Sequence, residues 1–162
     1  MKILVTGGSG FIGSNFIINQ IKNTDNEILN FDNLTYASNK DNLSSVDKNT
    51  KYIFEHGDIC DKNALMKAFG GFMPNAVVHF AAESHVDNSI KNPSVFVETN
   101  VNGTLCLLDV AMKFWMNEPH CIRDDFKLAR FHQISTDEVY GSILKGKFDE
   151  NSNYNPNSPY SA

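Results

Sequence analysis

The feature that most constrains the fold of this chain is a glycine-rich turn near its N-terminus. The turn, Thr6-Gly7-Gly8-Ser9-Gly10-Phe11-Ile12-Gly13, follows a short apolar segment, 2–6, that is typical of a buried strand. Apolar residues then recur close to helical spacing over 11–21, which indicates an amphipathic helix. A strand, a glycine turn and a helix in this order predict the first unit of a β-α-β protein.

The rest of the chain continues the alternation of strands and helices. Further strands are predicted at 27–31, 52–55, 76–80 and 130–135, and further helices at 62–69 and 93–116. Asp61 suits the N-cap of the first of these helices, and Pro93 suits the first turn of the second. The polar stretches 33–51 and 118–127 are predicted to be loops. We therefore expect a Rossmann-like α/β fold, a doubly wound parallel sheet with helices on both faces.

The composition excludes several classes of protein. A chain of 162 residues with 41% hydrophobic residues is long enough for one domain with a sizeable core. A net charge of -5 argues against a general nucleic-acid surface. The sequence contains no apolar run near the roughly 20 residues that span a bilayer, and no signal peptide, so we expect a cytoplasmic protein without a membrane partner. Three cysteines without C-x-x-C spacing indicate free thiols, with zinc binding as the weaker alternative and no metal site predicted.

The glycine turn also predicts a dinucleotide site. Gly7, Gly10 and Gly13 would permit a tight turn, a close approach of pyrophosphate and close packing of helix on strand. Asp32 ends the second strand, nineteen residues after Gly13, where a carboxylate would bind a ribose 2′-hydroxyl. The alternative for Asp32 is a plain turn residue at the strand end. The same carboxylate would repel a 2′-phosphate, which favours NAD over NADP. Asp58 after the third strand either reaches the adenine or only caps a turn.

A second motif, Ser135-Thr136-Asp137-Glu138-Val139-Tyr140-Gly141, follows the last predicted strand. Two adjacent carboxyl groups cannot both ionise without cost, so one of them tends to keep its proton. A protonated acid beside an ionised base suits acid and base catalysis on one substrate. The alternative is a solvated turn, and a tyrosine downstream, Tyr160, makes that alternative weaker.

These motifs resemble the extended short-chain dehydrogenases/reductases and, within them, the dTDP-glucose 4,6-dehydratase family. The matching segments are 6–14, 33–37, 79–87, 99–104, 135–141 and 158–162. In that family hydride leaves C4 of the hexose for NAD+, water is eliminated across C5 and C6, and hydride returns to C6. The resemblance implies that Tyr160 is the base for oxidation, Glu138 the C5 base and Asp137 the C6 acid. Thr136 would hydrogen-bond the sugar at its 4-hydroxyl.

The resemblance also implies which residues bind the cofactor and the substrate. Implied NAD ligands are Gly7, Gly10, Phe11, Ile12, Gly13, Asp32, Asn33, Asp58, Ile59, Ala81, Ala82, Ser84, Asn100, Ser135 and Tyr160. Implied ligands of a nucleotide-sugar substrate are Ser84, His85, Thr136, Asp137 and Glu138. His85 has a structural role as its alternative, and His79 is expected in the core. Asn100 either contacts the cofactor or is a buried amide that bridges strands.

Two departures from the family lead to further expectations. The family's tyrosine is followed four residues later by a lysine, a position two beyond Ala162, and its members are roughly twice as long. We therefore expect residues 1–162 to form an incomplete NAD-binding domain that lacks the C-terminal substrate-binding portion. Such a chain would have little or no turnover, weak NAD binding at most, and an exposed sheet edge and apolar face. The full-length enzyme is expected to be a homodimer.

Other functions of the same fold and of another class remain open. A dehydratase acting on UDP- or GDP-sugars, or a 4-epimerase, would share the fold, although the Asp137-Glu138 pair argues against an epimerase. The alternative of another class is a non-catalytic NAD-binding or scaffold domain.

Overall fold

The computed structural model describes residues 1–162 and contains a five-stranded parallel sheet. The strands, in chain order, are β1 (Lys2–Thr6), β2 (Glu27–Asp32), β3 (Tyr52–His56), β4 (Ala76–His79), β5 (Met116–Glu118), β6 (Cys121–Ile122) and β7 (Arg130–Gln133). The sheet has the order β3-β2-β1-β4-β7 with every neighbouring pair parallel. β5 and β6 form a separate antiparallel pair. The doubly wound α/β fold expected from the sequence is confirmed.

The helices follow the predicted positions, with two additions. They are α1 (Phe11–Asn23), α2 (Lys62–Phe72), α3 (Val86–Lys91), α4 (Pro93–Phe96), a π-helical segment (Val97–Gly103) and α5 (Thr104–Trp115). The predicted helix 93–116 is one continuous helical run, but its π-helical middle and α3 were not predicted. Asp61 caps α2 by accepting hydrogen bonds from the backbone N–H groups of Asn63 and Ala64, and Pro93 occupies the first position of α4.

Both faces of the sheet are covered, because alternate strand residues point to opposite sides. Apolar strand residues on one side pack against α2 and α5; they are Leu4, Leu29, Phe31 and Val77. On the other side Ile3, Val5, Ile28 and Val78 pack against α1. Burying one such aliphatic side chain contributes roughly 1.5–3 kcal/mol to folding, so these two layers hold the sheet in place.

The strand β7 differs from the other strands of the sheet. It pairs only with β4 and therefore forms one outer edge. Three of its four side chains, Arg130, His132 and Gln133, are exposed, whereas all four residues of β4 are buried. The exposed sheet edge expected from the sequence is present, and its exposed side chains are polar.

The strand order places a switch point between β1 and β4. From β1 the chain runs outward to β2 and β3, and from β4 it runs outward in the other direction to β7. In open α/β sheets ligands bind outside the carboxyl ends of the strands at such a point. None of the helices combines the length and the apolar character needed to cross a membrane. Cys60, Cys106 and Cys121 are free.

Candidate functional site

A cleft lies along the carboxyl ends of β1, β2 and β4, where the strand order predicts a ligand site. Its volume is about 580 Å³, within the range of about 300–1,000 Å³ typical of ligand pockets. The lining includes every residue proposed above as an NAD ligand except Asn100: Gly7, Gly10, Phe11, Ile12, Gly13, Asp32, Asn33, Asp58, Ile59, Ala81, Ala82, Ser84, Ser135 and Tyr160. The structure therefore brings these fourteen residues, from six separate segments of the chain, to one cavity.

The glycine turn forms the floor of this cleft, and two glycines are required by close backbone contacts. Gly7 has φ +68°, and a Cβ there would lie 2.5 Å from the backbone nitrogen of Ala81. A Cβ at Gly13 would lie 2.4 Å from the carbonyl oxygen of Gly7, so α1 packs directly on the turn. Helix α1 begins without a side-chain cap and without an acidic residue in its first turn. Its first backbone N–H groups are therefore suited to hold an anion such as a pyrophosphate.

Asp32 is buried at the end of β2 and is already bound by the protein. Its carboxylate accepts hydrogen bonds of 2.8 Å each from the backbone N–H groups of Ser9 and Leu34 and from the hydroxyl of Ser38. A carboxylate has about four acceptor positions. About one position is left for a ligand hydroxyl, and the other three tie the loop after β2 to the glycine turn. The turn role, the alternative to the ligand role for Asp32, is thus present, and contact with a ribose stays a prediction.

Asp58 stands at the far end of the cleft and acts in a turn. One of its carboxylate oxygens accepts a 2.8 Å hydrogen bond from the backbone N–H of Cys60, and the other accepts a 2.9 Å hydrogen bond from the side-chain amide of Asn33. The turn role, one of the two readings of Asp58, is thus present. Contact with an adenine stays a prediction that the position of Asp58 in the cleft allows.

His79 lies in the core beneath the cleft, as the sequence predicted. Its ring nitrogens face the hydroxyl oxygens of Thr6 at 2.5 Å and Thr104 at 3.0 Å, which links β1, β4 and α5. Burial lowers the pKa of His79 from 6.5 to about 4, so the ring is neutral at pH 7. The Thr6 hydroxyl also accepts a hydrogen bond from the backbone N–H of Ala81, which fixes the start of the loop after β4.

Asn100 does not line the cleft, although its neighbour Thr99 does. The side-chain amide of Asn100 instead accepts a 2.8 Å hydrogen bond from the backbone N–H of Glu83 and donates a 2.9 Å hydrogen bond to its carbonyl oxygen. The amide thus bridges the π-helical segment and the loop after β4, rather than two strands. His85 is exposed, does not line the cleft, and precedes α3 without a side-chain hydrogen bond to the helix.

A second cavity adjoins the cleft and contains part of the carboxylate motif. Its lining residues are Ser135, Thr136, Asp137, Val139, Tyr140, Tyr154, Pro156, Ser161 and Ala162. Ser135 lines both cavities, so the two adjoin at this residue. Thr136 begins a 3₁₀ turn, Asp137–Tyr140, by accepting a hydrogen bond from the backbone N–H of Glu138. The half-buried Glu138 lines neither cavity.

Tyr160 lines the cleft. Its ring packs edge-on against Phe96 of α4, with ring centroids 6.3 Å apart. Ser158 and Ser161 are buried and hydrogen-bond each other, which holds the turn that carries Tyr160. The structure therefore brings Tyr160, Thr136 and Asp137 to adjoining cavities, and leaves Glu138 and His85 outside them.

Several cleft residues were not predicted from the sequence. They are Phe31, Thr35, Ala37, Ser38, Glu83, Val95, Thr99 and Ile134. Most of them lie within a few residues of the carboxyl end of a strand, and that position is the signal that would have found them. Val95 and Thr99 have no such signal, because they come from the helical run that follows α3.

Comparisons with known proteins give relatives for the whole chain. Residues 4–162 match the family model described as GDP-mannose 4,6 dehydratase. A dTDP-glucose 4,6-dehydratase of Salmonella typhimurium is 48% identical over 172 aligned positions, which cover 100% of this chain and 47% of that protein.

Two solved structures show the same fold with NAD bound. DesIV, a dTDP-glucose 4,6-dehydratase from Streptomyces venezuelae, matches with a TM-score of 0.84 at 45% identity, over 99% of this chain and 47% of that one. A UDP-glucose 4-epimerase from Thermus thermophilus matches with a TM-score of 0.81 at 29% identity, over 99% and 46%. The chain spans about half the length of the relatives it matches.

Proposed function

The chain belongs to the GDP-mannose 4,6 dehydratase family, and from this premise we propose that the whole protein is an NAD-dependent dTDP-glucose 4,6-dehydratase. The observation that carries the proposal is the junction at Ser135, where a cleft suited to a dinucleotide meets a cavity that contains Thr136 and Asp137. The 48% identity to a dTDP-glucose 4,6-dehydratase supports this choice of substrate within the family.

The residues of the cleft fit NAD. The first N–H groups of α1, which follow the glycine turn, have no side-chain cap and would hold the pyrophosphate. Asp32 has about one acceptor position left for a ribose hydroxyl, and its negative charge disfavours the 2′-phosphate of NADP. Ala81 and Ala82 are small enough to let the nicotinamide approach β4 closely. When bound, NAD+ supplies the hydride acceptor for C4 of the hexose, and NADH supplies the hydride for C6.

Each polar residue near Ser135 then has one role in the proposed reaction, either a proton transfer or a hydrogen bond to the sugar. Tyr160 takes the proton of the 4-hydroxyl during oxidation, and Thr136 hydrogen-bonds the same oxygen. Glu138 removes the proton from C5, which the 4-ketone has made acidic, and Asp137 protonates the 6-hydroxyl so that it leaves as water. In this arrangement the side chain of Glu138 has to turn toward the cavity that Asp137 already lines.

The assignment is tested by Asp137→Asn and Glu138→Gln in the whole protein with dTDP-glucose. We expect both variants to keep C4 oxidation, seen as formation of bound NADH, and to lose the 4-keto-6-deoxy product, since each lacks one proton carrier of the elimination. Glu118→Gln in the exposed hairpin is the matched control and should behave as wild type. Normal dehydration by both variants would show that the roles are wrong.

A second substrate is favoured by one specific observation, the match to a family model described as GDP-mannose 4,6 dehydratase. Parallel assays with dTDP-glucose, GDP-mannose and UDP-glucose decide between these substrates by the nucleotide that is turned over. Recovery of a 4-epimer without loss of water would identify an epimerase. NAD binding without turnover of any of the three would identify a non-catalytic domain.

Within the whole protein, residues 1–162 are proposed to supply the dinucleotide site and the acid pair, as the NAD-binding domain. We expect these residues alone to turn over little or no dTDP-glucose, because the relatives are about twice as long. A turnover number for the 162-residue chain equal to that of the whole protein would contradict this. The whole protein is further proposed to be a homodimer.

A further inference from the structure

One side-chain contact joins two loops that line the cleft and has no part in the roles proposed above. The hydroxyl of Tyr36, in the loop after β2, donates a 3.1 Å hydrogen bond to a carboxylate oxygen of Glu83, in the loop after β4. The two residues are 47 positions apart in the chain. The bond therefore depends on the tertiary arrangement of two loops.

The strand order shows what this bond spans. β2 and β4 lie on opposite sides of β1, and neighbouring strands are about 4.8 Å apart, so the two loops leave the sheet roughly 10 Å from each other. The glycine turn follows β1 and lies between them. Thr35, Ala37 and Glu83 line the cleft, whereas Tyr36 does not. The bond thus joins two walls of the cleft along its rim.

The two ends of the bond are anchored to different degrees. Glu83 is held on both sides of its backbone by the amide of Asn100. The loop after β2 is held at its base, where Leu34 and Ser38 donate to Asp32 and Asn39 donates to the carbonyl of Ser9. Tyr36 lies between these attachment points and is mostly exposed. The hydrogen bond from its hydroxyl to Glu83 joins this part of the loop after β2 to the loop after β4.

The hydroxyl of Tyr36 remains a donor at neutral pH. Partial burial, together with the hydrogen bond and the negative charge of Glu83, raises the pKa of Tyr36 above its usual value of 10.0. A hydrogen bond from a neutral donor to an ionised acceptor is stronger than one between neutral groups.

We propose that Tyr36 and Glu83 form a clasp across the dinucleotide cleft and slow the release of bound NAD. The inference rests on the proposed NAD site and deepens it. A dinucleotide lying on the glycine turn is enclosed by β1, the two loops and the clasp, and its departure requires the clasp to open. Tyr36 and Glu83 are positioning residues, since neither is assigned a step in the proposed reaction.

The test compares the rate of NADH release from the whole protein, from Tyr36→Phe, from Glu83→Ala and from the double variant. NADH is preloaded and displaced by excess NAD+, and its fluorescence is followed in a stopped-flow instrument. Each single variant should release NADH about two- to tenfold faster, the range expected for one hydrogen bond. The double variant should be no faster than the faster single variant, since both remove the same bond. Glu118→Ala, an exposed acidic residue outside both cavities, should release NADH at the wild-type rate.

The outcomes separate the clasp from the NAD site. A wild-type protein that binds no NADH refutes the proposed function. A wild-type protein that binds NADH while Tyr36→Phe releases it at the wild-type rate refutes the clasp alone, as does a double variant whose effect is the product of the two single effects. Should a variant fail to fold, hydrogen exchange on the wild type decides. NADH should slow the exchange of 33–38 and 83–85 together, and protection of one loop without the other refutes the clasp.

Discussion

The titration of His79, a buried histidine, affects the stability of the fold. In an unfolded chain its imidazole takes up a proton as the pH falls through about 6.5. In the folded protein burial lowers its pKa to about 4, so the ring stays neutral until the pH nears that value. Between these values the unfolded state binds more protons than the folded state. The free energy of unfolding should therefore fall as the pH is lowered from about 6.5 to 4, by up to about 3 kcal/mol at about 1.4 kcal/mol per pKa unit.

Denaturant unfolding of the whole protein at a series of pH values measures this effect. His79→Gln should be less stable than wild type at pH 7, because the link between Thr6 and Thr104 is altered, but its stability should fall less steeply between pH 6.5 and 4. His132→Gln is the control, since His132 is exposed on β7, and its pH profile should parallel that of wild type. A profile of His79→Gln parallel to wild type would show that His79 is not the group responsible.

At the scale of single residues, the sequence predicted where a side chain lies in the fold better than which hydrogen bonds it makes. Asp32 was found because a carboxylate at the end of the second strand follows from the spacing of the glycine motif. Its three protein hydrogen bonds could not be found, since the donors Leu34 and Ser38 belong to a loop whose path depends on the packed structure. His79 was assigned to the core because an apolar strand surrounds it in the sequence.

At the scale of elements, the π-helical segment Val97–Gly103 connects the helical run to the cleft. Its Asn100 makes two hydrogen bonds to the backbone of Glu83, and each such bond contributes about 0.5–1.5 kcal/mol. Asn100→Ala should therefore lower the free energy of unfolding by about 1–3 kcal/mol and weaken NADH binding, because the loop after β4 loses its support. Chemical denaturation and fluorescence titration with NADH measure the two effects.

The same segment offers a matched control. Asn102 is exposed and its side chain donates to Glu98 within the helical run, so it supports no other element. Asn102→Ala should change the stability by less than about 0.5 kcal/mol, as usual for surface positions, and leave NADH binding as in wild type. Equal losses in Asn100→Ala and Asn102→Ala would mean that the effect belongs to the helix and not to the bridge.

The elements of the fold could be predicted from the sequence where a strong pattern was present. β1 and β4 are short, mostly apolar runs, and the helical run after Pro93 has a clear apolar period. The π-helical segment cannot be recognised in the sequence. It has only seven residues, and over so short a stretch one extra residue per turn hardly changes the spacing of the apolar residues. α3 has six residues and follows a polar stretch, and the β5–β6 hairpin lies inside a segment predicted to be a loop. Elements this short are stabilised by tertiary contacts rather than by local pattern.

At the scale of the whole molecule, the chemistry is assembled from loops that converge at one end of the sheet. The glycine turn, the ends of β2 and β4 and the turn that follows β7 are each local, and parallel strands bring all four to the same edge. The convergence could be predicted because it depends only on strand direction. The order β3-β2-β1-β4-β7 decides which loops are neighbours across the cleft, and the pairing of Tyr36 with Glu83 follows from that order.

The helical run from Pro93 to Trp115 presents an apolar stripe to solvent, which supports the proposed homodimer. Val97, Val101, Leu105 and Met112 lie on one side of the run at spacings of four, four and seven residues, and all are exposed. A second copy of the chain would remove these side chains from water.

Leu105→Glu should convert the dimeric whole protein to a monomer, since a buried unpaired carboxylate is costly in an interface. Sedimentation velocity measures the mass of each variant. Leu128→Glu, at an exposed leucine off this stripe, should stay dimeric. A dimer that persists in Leu105→Glu would place the interface elsewhere, and a monomeric wild type would refute the homodimer itself.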